Sequence, residues 1–302
     1  MLCGGSTEPL YVILPYFNFC GFKRRRELFV EFVARQRDVR VVVVECLGPE
    51  RLPKMKGVWR HLTVRSSHHI WIKENLINYA VKQLPRKWKY MAWVDADITF
   101  LSPTWVQDTV DELRRNDVVQ LFRTCVNLGP NDEALKIDKS FGYMHRGSGT
   151  PYTKSDVYGF WHPGYAWACT RVAYAKMHGL LDWAILGSGD RHMSLAWIGR
   201  ADESAPGNVH PTYKEMLREY EDRCKGFKVS YIDGTILHHW HGRFADRRYR
   251  ERWSILVDGK YDPMEDVGLT RDGILQLTRP GLRLVGELDD YFVSRKEDLM
   301  HV

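Results

Sequence analysis

Short apolar runs alternate with amphipathic segments along most of this chain. Residues 10–14 and 39–45 are mainly apolar runs of strand length, and Pro15 is expected to end the first of them. A helix is predicted between the two runs, because apolar residues recur there at the spacing of one helix face: Leu28, Phe29, Phe32 and Val33. Strands that alternate with helices predict a doubly wound α/β domain, with a mostly parallel central sheet flanked by helices.

The alternation continues towards the C-terminus. Helices are predicted at residues 71–81, 103–114, 211–225 and 288–299, and strands at residues 90–94, 117–123, 165–170, 227–232 and 235–241. Residues 125–163 interrupt the pattern, because they contain several glycines and prolines and show little periodicity. A segment of this length without regular structure is usually a functional loop or a lid. We expect residues 1–255 to form a catalytic domain and residues 256–302 to form an extension that packs on it.

Composition excludes several classes of protein. The 302 residues are 44% hydrophobic and 27% charged, which is typical of a soluble globular protein. The net charge of +6 is too small to indicate nucleic-acid binding by itself, and no recognition motif accompanies it. No apolar run has the length of a membrane span, the N-terminus lacks a signal-peptide pattern, and the cysteines form no Cys-x-x-Cys pair. We therefore expect a cytoplasmic protein without a membrane span or a nucleic-acid partner.

Two carboxylates follow an apolar predicted strand. Asp95 and Asp97 come directly after residues 90–94, and the chain becomes apolar again at Ile98. Ligands of open α/β sheets gather at the carboxyl ends of the strands. Residues i and i+2 of an extended segment point to the same side, so both carboxylates can reach one divalent cation. The alternative is a polar turn, but the apolar flanks and the absence of Gly or Pro favour a metal site.

Histidines and arginines cluster later in the chain. In an extended strand His239 and His241 share one face, opposite His238. One imidazole combined with two carboxylates favours Mn²⁺, with Mg²⁺ as the alternative, and the choice among the three histidines stays open. Arginine suits phosphate recognition, and several arginines follow the histidines: Arg243, Arg247, Arg248, Arg250 and Arg252.

Two glycine-containing motifs and one lysine supply further candidates. In residues 187–193 the glycines let the backbone approach a ligand, and Asp190 stands where a helix is expected to begin. Its alternative role is that of an N-cap. In residues 161–167 aromatic rings flank Gly164, an arrangement that suits a sugar face as well as a hydrophobic core. Lys73, near the start of a predicted helix, is a candidate for holding a nucleotide or for a surface or capping role.

Together these motifs resemble those of the nucleotide-sugar-dependent glycosyltransferases of the GT-A fold, with patterns similar to the β-1,4-galactosyltransferases and the polypeptide N-acetylgalactosaminyltransferases. Asp95-Ala96-Asp97 is similar to the metal-binding Asp-x-Asp of that family, and His241-Gly242-Arg243 to its later metal-ligand histidine with a basic neighbour. Leu14-Pro15-Tyr16-Phe17-Asn18 resembles the first turn, which contacts the nucleoside. Gly187-Ser188-Gly189-Asp190 stands where the family carries Trp-Gly-Gly-Glu. The order and rough spacing agree across residues 10–250.

The resemblance implies a metal-dependent transfer of a sugar from a nucleotide diphosphate sugar to an acceptor hydroxyl, with inversion. In this interpretation Asp95, Asp97 and His241 bind Mn²⁺, and Asp190 is the general base. The donor-binding residues would be Pro15, Tyr16, Asn18, Lys73, Asp95, Gly164, Arg243 and Arg247. A UDP-sugar is favoured as donor, with a GDP-sugar as the alternative. The acceptor is expected to be a glycan, glycoprotein or glycolipid.

Two other functions stay open. Ser188 splits the glycine pair, no tryptophan precedes it, and Arg191 occupies the position where the galactosyltransferases carry an acid. These departures leave room for a non-catalytic module that binds a nucleotide sugar or a carbohydrate. A metal-dependent phosphohydrolase would also use Asp and His, but such sites commonly recruit further carboxylates and a second metal. No further acidic cluster follows a predicted strand.

Overall fold

The computed structural model describes residues 8–149 and 161–300 of the chain. Its strands are β1 (Leu10–Phe17), β2 (Arg40–Cys46), β3 (Val58–Val64), β4 (Tyr90–Val94), β5 (Ile98–Phe100), β6 (Val118–Gln120), β7 (Thr124–Leu128), β8 (Ala134–Ser140), β9 (Trp161–His162), β10 (Ala166–Thr170), β11 (Val229–Tyr231), β12 (Thr235–His238), β13 (Val267–Leu269) and β14 (Leu275–Leu277). The largest sheet has seven strands in the order β11-β6-β10-β4-β1-β2-β3. Within it β10 runs antiparallel to both of its neighbours, and the other pairs are parallel. The predicted α/β class with a mostly parallel sheet is confirmed.

Helices cover both faces of this sheet. They are α1 (Lys23–Arg35), α2 (Lys73–Val81), α3 (Trp105–Leu113), α4 (Phe141–Arg146), α5 (Arg171–Met177), α6 (Gly189–Trp197), α7 (Pro211–Cys224), α8 (Trp253–Asp258) and α9 (Val285–Ser294). Side chains of β1 alternate between two cores: Tyr11 and Ile13 belong to the core that includes residues of α2 and α7, whereas Val12 and Leu14 belong to the core that includes residues of α1 and α3. This two-residue period is that of a strand buried on both faces.

The prediction that Pro15 ends the first strand is wrong. β1 continues to Phe17, and Pro15 lies opposite Val44 of β2. The pairing of β1 with β4 stops at Ile13 and Trp93, so from Leu14 onwards β1 has a neighbouring strand on one side only. A residue without an N–H is tolerated at such a half-open position. The extra residues carry β1 to the edge of the site described below.

Residues 125–163 were predicted to lack regular structure, and this prediction is wrong for their first part. β7, β8 and α4 occupy most of residues 124–146. β7 and β8 join β5, β9 and β12 in a second sheet of order β5-β12-β7-β8-β9. The exposed residues of β8 include the apolar Leu135 and Ile137, whereas the polar Asp138 and Ser140 are buried, so the strand lacks the usual apolar-inward alternation. The lid assigned to residues 125–163 stays a prediction, and residues 150–160 lie outside the described part of the chain.

The segment after α8 returns to the main body. Asn75 of α2 accepts a hydrogen bond from the Leu275 backbone N–H at 2.9 Å, which holds the β13–β14 hairpin. The Asp298 carboxylate accepts hydrogen bonds from the backbone N–H groups of Lys23 and Arg24, so it caps the first turn of α1. The predicted boundary at residue 255 stays a prediction. Among the residues described, no helix combines the length and apolarity needed to cross a bilayer.

Candidate active site

The carboxyl ends of β1 and β4 open into a cavity of about 500 Å³. Most of the predicted site residues line it: Pro15, Tyr16, Lys73, Asp95, Asp97, Gly164, Asp190, His241 and Arg247. They come from segments that are far apart in sequence, and the parallel order of the strands brings these segments to one edge of the sheet. In the sequence these residues belong to separate motifs, and the structure places them in one cavity.

Two predicted residues lie outside the cavity lining. The Asn18 amide donates to the Phe22 carbonyl at 2.9 Å, and its oxygen accepts from the Phe22 N–H at 2.9 Å. Asn18 therefore shapes the turn before α1. Arg243 is exposed, and its Nε donates to the Asp246 carboxylate at 3.1 Å. Their roles in donor binding stay predictions without a supporting contact in this structure.

Asp97, His238 and His241 form a cluster of metal-type donors. One donor atom of each lies within 4.8 Å of the others. His241 Nε2 is 2.9 Å and His238 Nε2 is 3.8 Å from Asp97 Oδ2. Two atoms that bind the same metal ion at about 2.0–2.2 Å lie about as far from each other as these donor atoms do. Asp95 is not a member of this cluster.

Second residues fix the orientation of both imidazoles. His238 Nδ1 lies 3.0 Å from Asn127 Oδ1, an oxygen that can only accept, so Nδ1 carries the proton and Nε2 keeps its lone pair. His241 Nδ1 faces the buried Glu297 carboxylate at 3.5 Å, which leaves its Nε2 directed at Asp97. Partners of this kind hold metal-ligating histidines in their binding tautomer.

The charge of the cluster is consistent with a cation. Burial works against ionisation of Asp97, but the basic side chains around it, His241 first and then His238 and Arg247, outweigh burial and lower the pKa of Asp97 from its ordinary value. Burial lowers the pKa of His238 well below the usual range, so this ring is neutral. Asp97 Oδ1 is buried and has no hydrogen-bond partner among the described residues. Arg247 donates to His241 Nε2 at 2.8 Å and would compete with a metal for that nitrogen.

The pairing of histidines expected from an extended strand is wrong. β12 ends at His238, and the backbone N–H of His239 donates to the Asp97 carbonyl at 2.8 Å. The chain turns there, so His238 and His241 meet on one side while the His239 ring reaches Thr99 at 2.7 Å. The sequence left the choice among His238, His239 and His241 open, and the resemblance pointed to His241.

Lys73 lies at the centre of a second group of charged side chains, next to Asp95. Lys73 Nζ lies 2.7 Å from Asp95 Oδ1 and 2.8 Å from Asp190 Oδ2, and the lysine is buried. Burial opposes its charge, but the two carboxylates outweigh that effect and raise the pKa of Lys73 well above its ordinary value. The charge of Lys73 is thus paired with two carboxylates of the site. The alternative roles, at the surface or as a helix cap, do not apply to this buried lysine.

The charged group around Lys73 contains more carboxylic acids than basic side chains. Burial raises the pKa of Asp95 to about 6 and that of the neighbouring Glu74 to about 8. Asp190 keeps its Oδ1 buried and without a hydrogen-bond partner in the described structure. Lys73 therefore orients Asp190 through one oxygen, while the other oxygen has no partner among the described residues.

Gly164 brings two chain segments close to Asp190. A Cβ at this position would lie 3.2 Å from His162 Cε1 and 3.6 Å from Asp190 Oδ2. The His162 ring stacks on Tyr165 with centroids 4.0 Å apart, and burial lowers the pKa of His162 to about 4. Trp161 and Tyr165 line the cavity, whereas Trp167 is fully buried in the core. Trp167 therefore belongs to the core, and a sugar-facing role for Trp161 and Tyr165 stays a prediction.

Several arginines that were not predicted as site residues also line the cavity, among them Arg25, Arg252 and Arg295. Arg25 and Arg295 both donate to the carboxylate of Glu297, at 2.6–2.7 Å. Arg252 belongs to the basic run noted above and Arg25 to a second one at residues 23–26, but a basic run does not show which of its members faces inwards. Arg295 and Glu297 lie in an unremarkable C-terminal stretch, and no local signal distinguishes them.

No protein-family model matches this chain, and no curated protein matches it. Solved structures similar to it include a mannosyltransferase from Pyrobaculum calidifontis in complex with GDP-Man and Mn²⁺, with 15% identity, a TM-score of 0.44, and coverage of 94% of this chain and 69% of that one. A mutant Drosophila β-1,4-galactosyltransferase 7 with manganese, UDP-Gal and xylobiose has 14% identity, a TM-score of 0.40, and coverage of 89% and 93%. A 4-diphosphocytidyl-2C-methyl-D-erythritol synthase from Anaerococcus prevotii has 15% identity, a TM-score of 0.35, and coverage of 76% and 90%. These TM-scores are too low to support a functional assignment, which therefore depends on the residues of the cavity.

Proposed function

We propose that this protein is a metal-dependent glycosyltransferase that moves a sugar from a nucleotide diphosphate sugar to an acceptor hydroxyl, with inversion. One observation carries the proposal: a single cavity holds an Asp–His–His cluster, a lysine-oriented carboxylate and a wall of arginines. These groups match the needs of the reaction, which are to neutralise a diphosphate leaving group and to accept the proton of a hydroxyl.

The residues of the metal cluster fit a divalent cation. Asp97, His238 and His241 would hold it, with Asp95 beside them in the same cavity. A bound cation would supply Lewis-acid neutralisation of the two phosphates. Two imidazoles and one carboxylate shift the preference towards Mn²⁺ or Zn²⁺ and away from Mg²⁺, because Mg²⁺ prefers oxygen ligands.

Asp190 would act as the general base. Its Oδ2 is held by Lys73 at 2.8 Å, its Oδ1 has no hydrogen-bond partner among the described residues, and the residue lines the cavity in which an acceptor hydroxyl would lie. Gly164 leaves room for an acceptor hydroxyl close to this carboxylate. Attack from this side, opposite the leaving group, would invert the anomeric centre.

The donor would lie between the end of β1 and the metal cluster. Pro15 and Tyr16 line this part of the cavity and would contact the nucleoside. Arg247 would place a fixed positive charge on the diphosphate, since its guanidinium is buried and Nε has no partner among the described residues. A UDP-sugar is the favoured donor and a GDP-sugar the alternative, with a glycan, glycoprotein or glycolipid as acceptor.

Calorimetry with UDP, GDP and their common sugars tests the proposal, performed with Mn²⁺, Zn²⁺, Mg²⁺ or excess EDTA. We expect one nucleotide diphosphate to bind in a metal-dependent way, at least about tenfold more tightly with Mn²⁺ or Zn²⁺ than with EDTA. His238→Ala is expected to remove this metal dependence, whereas replacing the exposed His178 by Asn should leave it unchanged.

A mass-spectrometric assay separates the competing functions. Transfer to an acceptor supports the glycosyltransferase. Rapid release of inorganic phosphate without an acceptor would identify a phosphohydrolase. Tight metal-dependent binding without either reaction would identify a binding module. Absence of any metal-dependent nucleotide binding would refute the proposal.

A further inference from the structure

We propose that the substrate carries a negatively charged group, a carboxylate or a phosphate, in addition to the donor diphosphate, and that Arg252 binds this group. The inference rests on the proposed function and extends it to the chemical class of the sugar or the acceptor. It is carried by the contacts and position of one buried guanidinium in the cavity.

Arg252 is a buried cation without a carboxylate partner. Its side chain is only 5% exposed and lines the cavity. The guanidinium donates to two neutral hydroxyls, that of Tyr291 at 3.0 Å and that of Ser188 at 2.6 Å. No carboxylate among the described residues lies within ion-pair distance of it. A buried charge that is hydrogen-bonded but not neutralised is costly, so an anionic ligand would be bound strongly there.

Most other charged groups of the cavity lie next to a group of opposite charge. The two negative charges of a diphosphate and that of Asp97 are balanced by a divalent cation and the guanidinium of Arg247. Arg25 and Arg295 share the carboxylate of Glu297, which leaves this pair with surplus positive charge. A neutral sugar and a neutral acceptor would therefore leave Arg252 without a counter-charge in the complete complex.

The position of Arg252 favours the sugar end of the cavity over the diphosphate end. Arg247 is bonded to His241 of the metal cluster, where the diphosphate is expected. Arg252 is bonded instead to Ser188, two residues before the proposed base, and a Cβ on Gly187 would lie 3.4 Å from its Nη1. Asp190 and Asp95 are engaged by Lys73 and not by Arg252. The anion should thus belong to the transferred sugar or to the acceptor.

The positive charges of Arg252 and Arg295 also affect the neighbouring Tyr291. Tyr291 accepts hydrogen bonds from Arg252 at 3.0 Å and from Arg295 at 3.2 Å. Burial alone would raise the pKa of Tyr291, but the charges of Arg295 and Arg252 outweigh it and lower that pKa. Tyr291 is therefore a weak substitute for the missing anion.

The test compares matched neutral and acidic probes by calorimetry in the presence of Mn²⁺. The donor arm uses UDP-glucose and UDP-glucuronate. The acceptor arm uses methyl glucoside, methyl glucuronide and glucose 6-phosphate, each added to the protein with UDP. We expect an acidic probe to bind at least about tenfold more tightly than its neutral counterpart in one arm, which identifies the source of the anion.

Three variants assign the preference. Arg252→Gln is expected to abolish the preference for the acidic probe while UDP still binds, and Arg252→Lys to retain part of it. Arg271→Gln, at an exposed position in the turn between β13 and β14, is the matched control and should retain all of it.

Each other outcome contradicts the inference in a recognisable way. If UDP binds with Mn²⁺ but acidic and neutral probes bind equally in both arms, the inference is wrong and the proposed function stands. If the preference persists in Arg252→Gln, Arg252 is not the binding residue. If UDP and GDP do not bind at all, the proposed function fails and the inference fails with it. Wild-type protein alone decides the first case, so the result does not depend on the folding of a variant.

Discussion

Several charged side chains of the cavity keep one buried atom without a hydrogen-bond partner. These atoms are Asp97 Oδ1, Asp190 Oδ1 and Arg247 Nε. An unsatisfied buried polar atom costs about 1–3 kcal/mol, and a charged one more, so these residues reduce stability unless a ligand engages them. Their concentration around one cavity is expected of residues selected for binding and not for folding.

Asp190 offers the sharpest test at the residue scale. Asp190→Asn keeps the shape of the side chain but removes the proton acceptor, so we expect kcat to fall by about 10²–10⁴-fold while donor binding changes little. Transfer rates and calorimetric donor affinity should be measured on the same preparation. Asp233→Asn, at an exposed carboxylate far from the cavity, is the matched control.

Near-normal turnover of Asp190→Asn would exclude this residue as the base. A parallel loss of donor affinity would indicate instead that Asp190 acts by positioning Lys73. The two roles are separable because only the first leaves binding intact.

At the scale of elements, the loop after β12 and the C-terminal segment after α9 build the metal cluster together. Gly242 has φ +85°, and a Cβ there would lie 2.9 Å from the Lys296 carbonyl oxygen. The close approach of the two segments places Glu297 beside His241. The C-terminal residues, for which the resemblance offered no guidance, are therefore part of the site.

Gly242→Ala should disturb both stability and metal binding. An L-residue in this conformation against a backbone oxygen is expected to cost about 1–3 kcal/mol of unfolding free energy and to weaken Mn²⁺ binding, because His241 is the preceding residue. Urea unfolding and metal titration measure the two effects.

Gly286→Ala is the matched control, since a Cβ there has nothing within 4 Å and alanine favours a helix. We expect it to be neutral or stabilising by up to about 1 kcal/mol. If Gly242→Ala behaves like the control, the close contact between the two segments does not determine the geometry of the metal cluster.

Elements also show where sequence patterns mislead. Pro15 was expected to end β1, but the strand lacks a neighbour on one side at that point and continues. β8 was missed because its apolar Leu135 and Ile137 are exposed and its polar Asp138 and Ser140 are buried, so it lacks the alternation expected of a half-buried strand. The two errors share a cause: pairing between strands depends on neighbours that are distant in sequence.

On the scale of the whole molecule, buried neutral groups make the folding free energy depend on pH. His192 is fully buried between α6 and α7, with Nδ1 2.7 Å from Ser204 Oγ and Nε2 2.8 Å from Tyr213 Oη. The Ser204 hydroxyl already donates to Ala201, so His192 donates to Ser204 and accepts from Tyr213. Burial lowers the pKa of His192 well below its ordinary value.

His192 should therefore destabilise the protein in acid. The unfolded state binds the proton at about pH 6.5 and the folded state only at lower pH, so the stabilisation is complete above pH 6.5 and is lost as the pH falls. The loss approaches about 1.4 kcal/mol per pH unit for this group. We expect His192→Gln to reduce the slope of unfolding free energy against pH between pH 6.5 and 5.

Urea unfolding at several pH values measures the slope. His178→Asn replaces an exposed histidine that has φ 61°, a conformation that Asn adopts readily, and should leave the slope as in the wild type. An unchanged slope in His192→Gln would show that His192 is already protonated in the folded protein.

The sequence by itself determined the α/β class, the order of most elements and the motifs of the site, because these depend on local periodicity and on residue chemistry. It predicted nine of the residues that now line one cavity: Pro15, Tyr16, Lys73, Asp95, Asp97, Gly164, Asp190, His241 and Arg247. Only the tertiary structure decided that His238 and not His239 joins Asp97, that Lys73 holds Asp190, and that Arg252 lacks a counter-charge. The physical reason is that orientation and charge balance at a site depend on contacts between segments that lie more than a hundred residues apart, and no local pattern records such contacts.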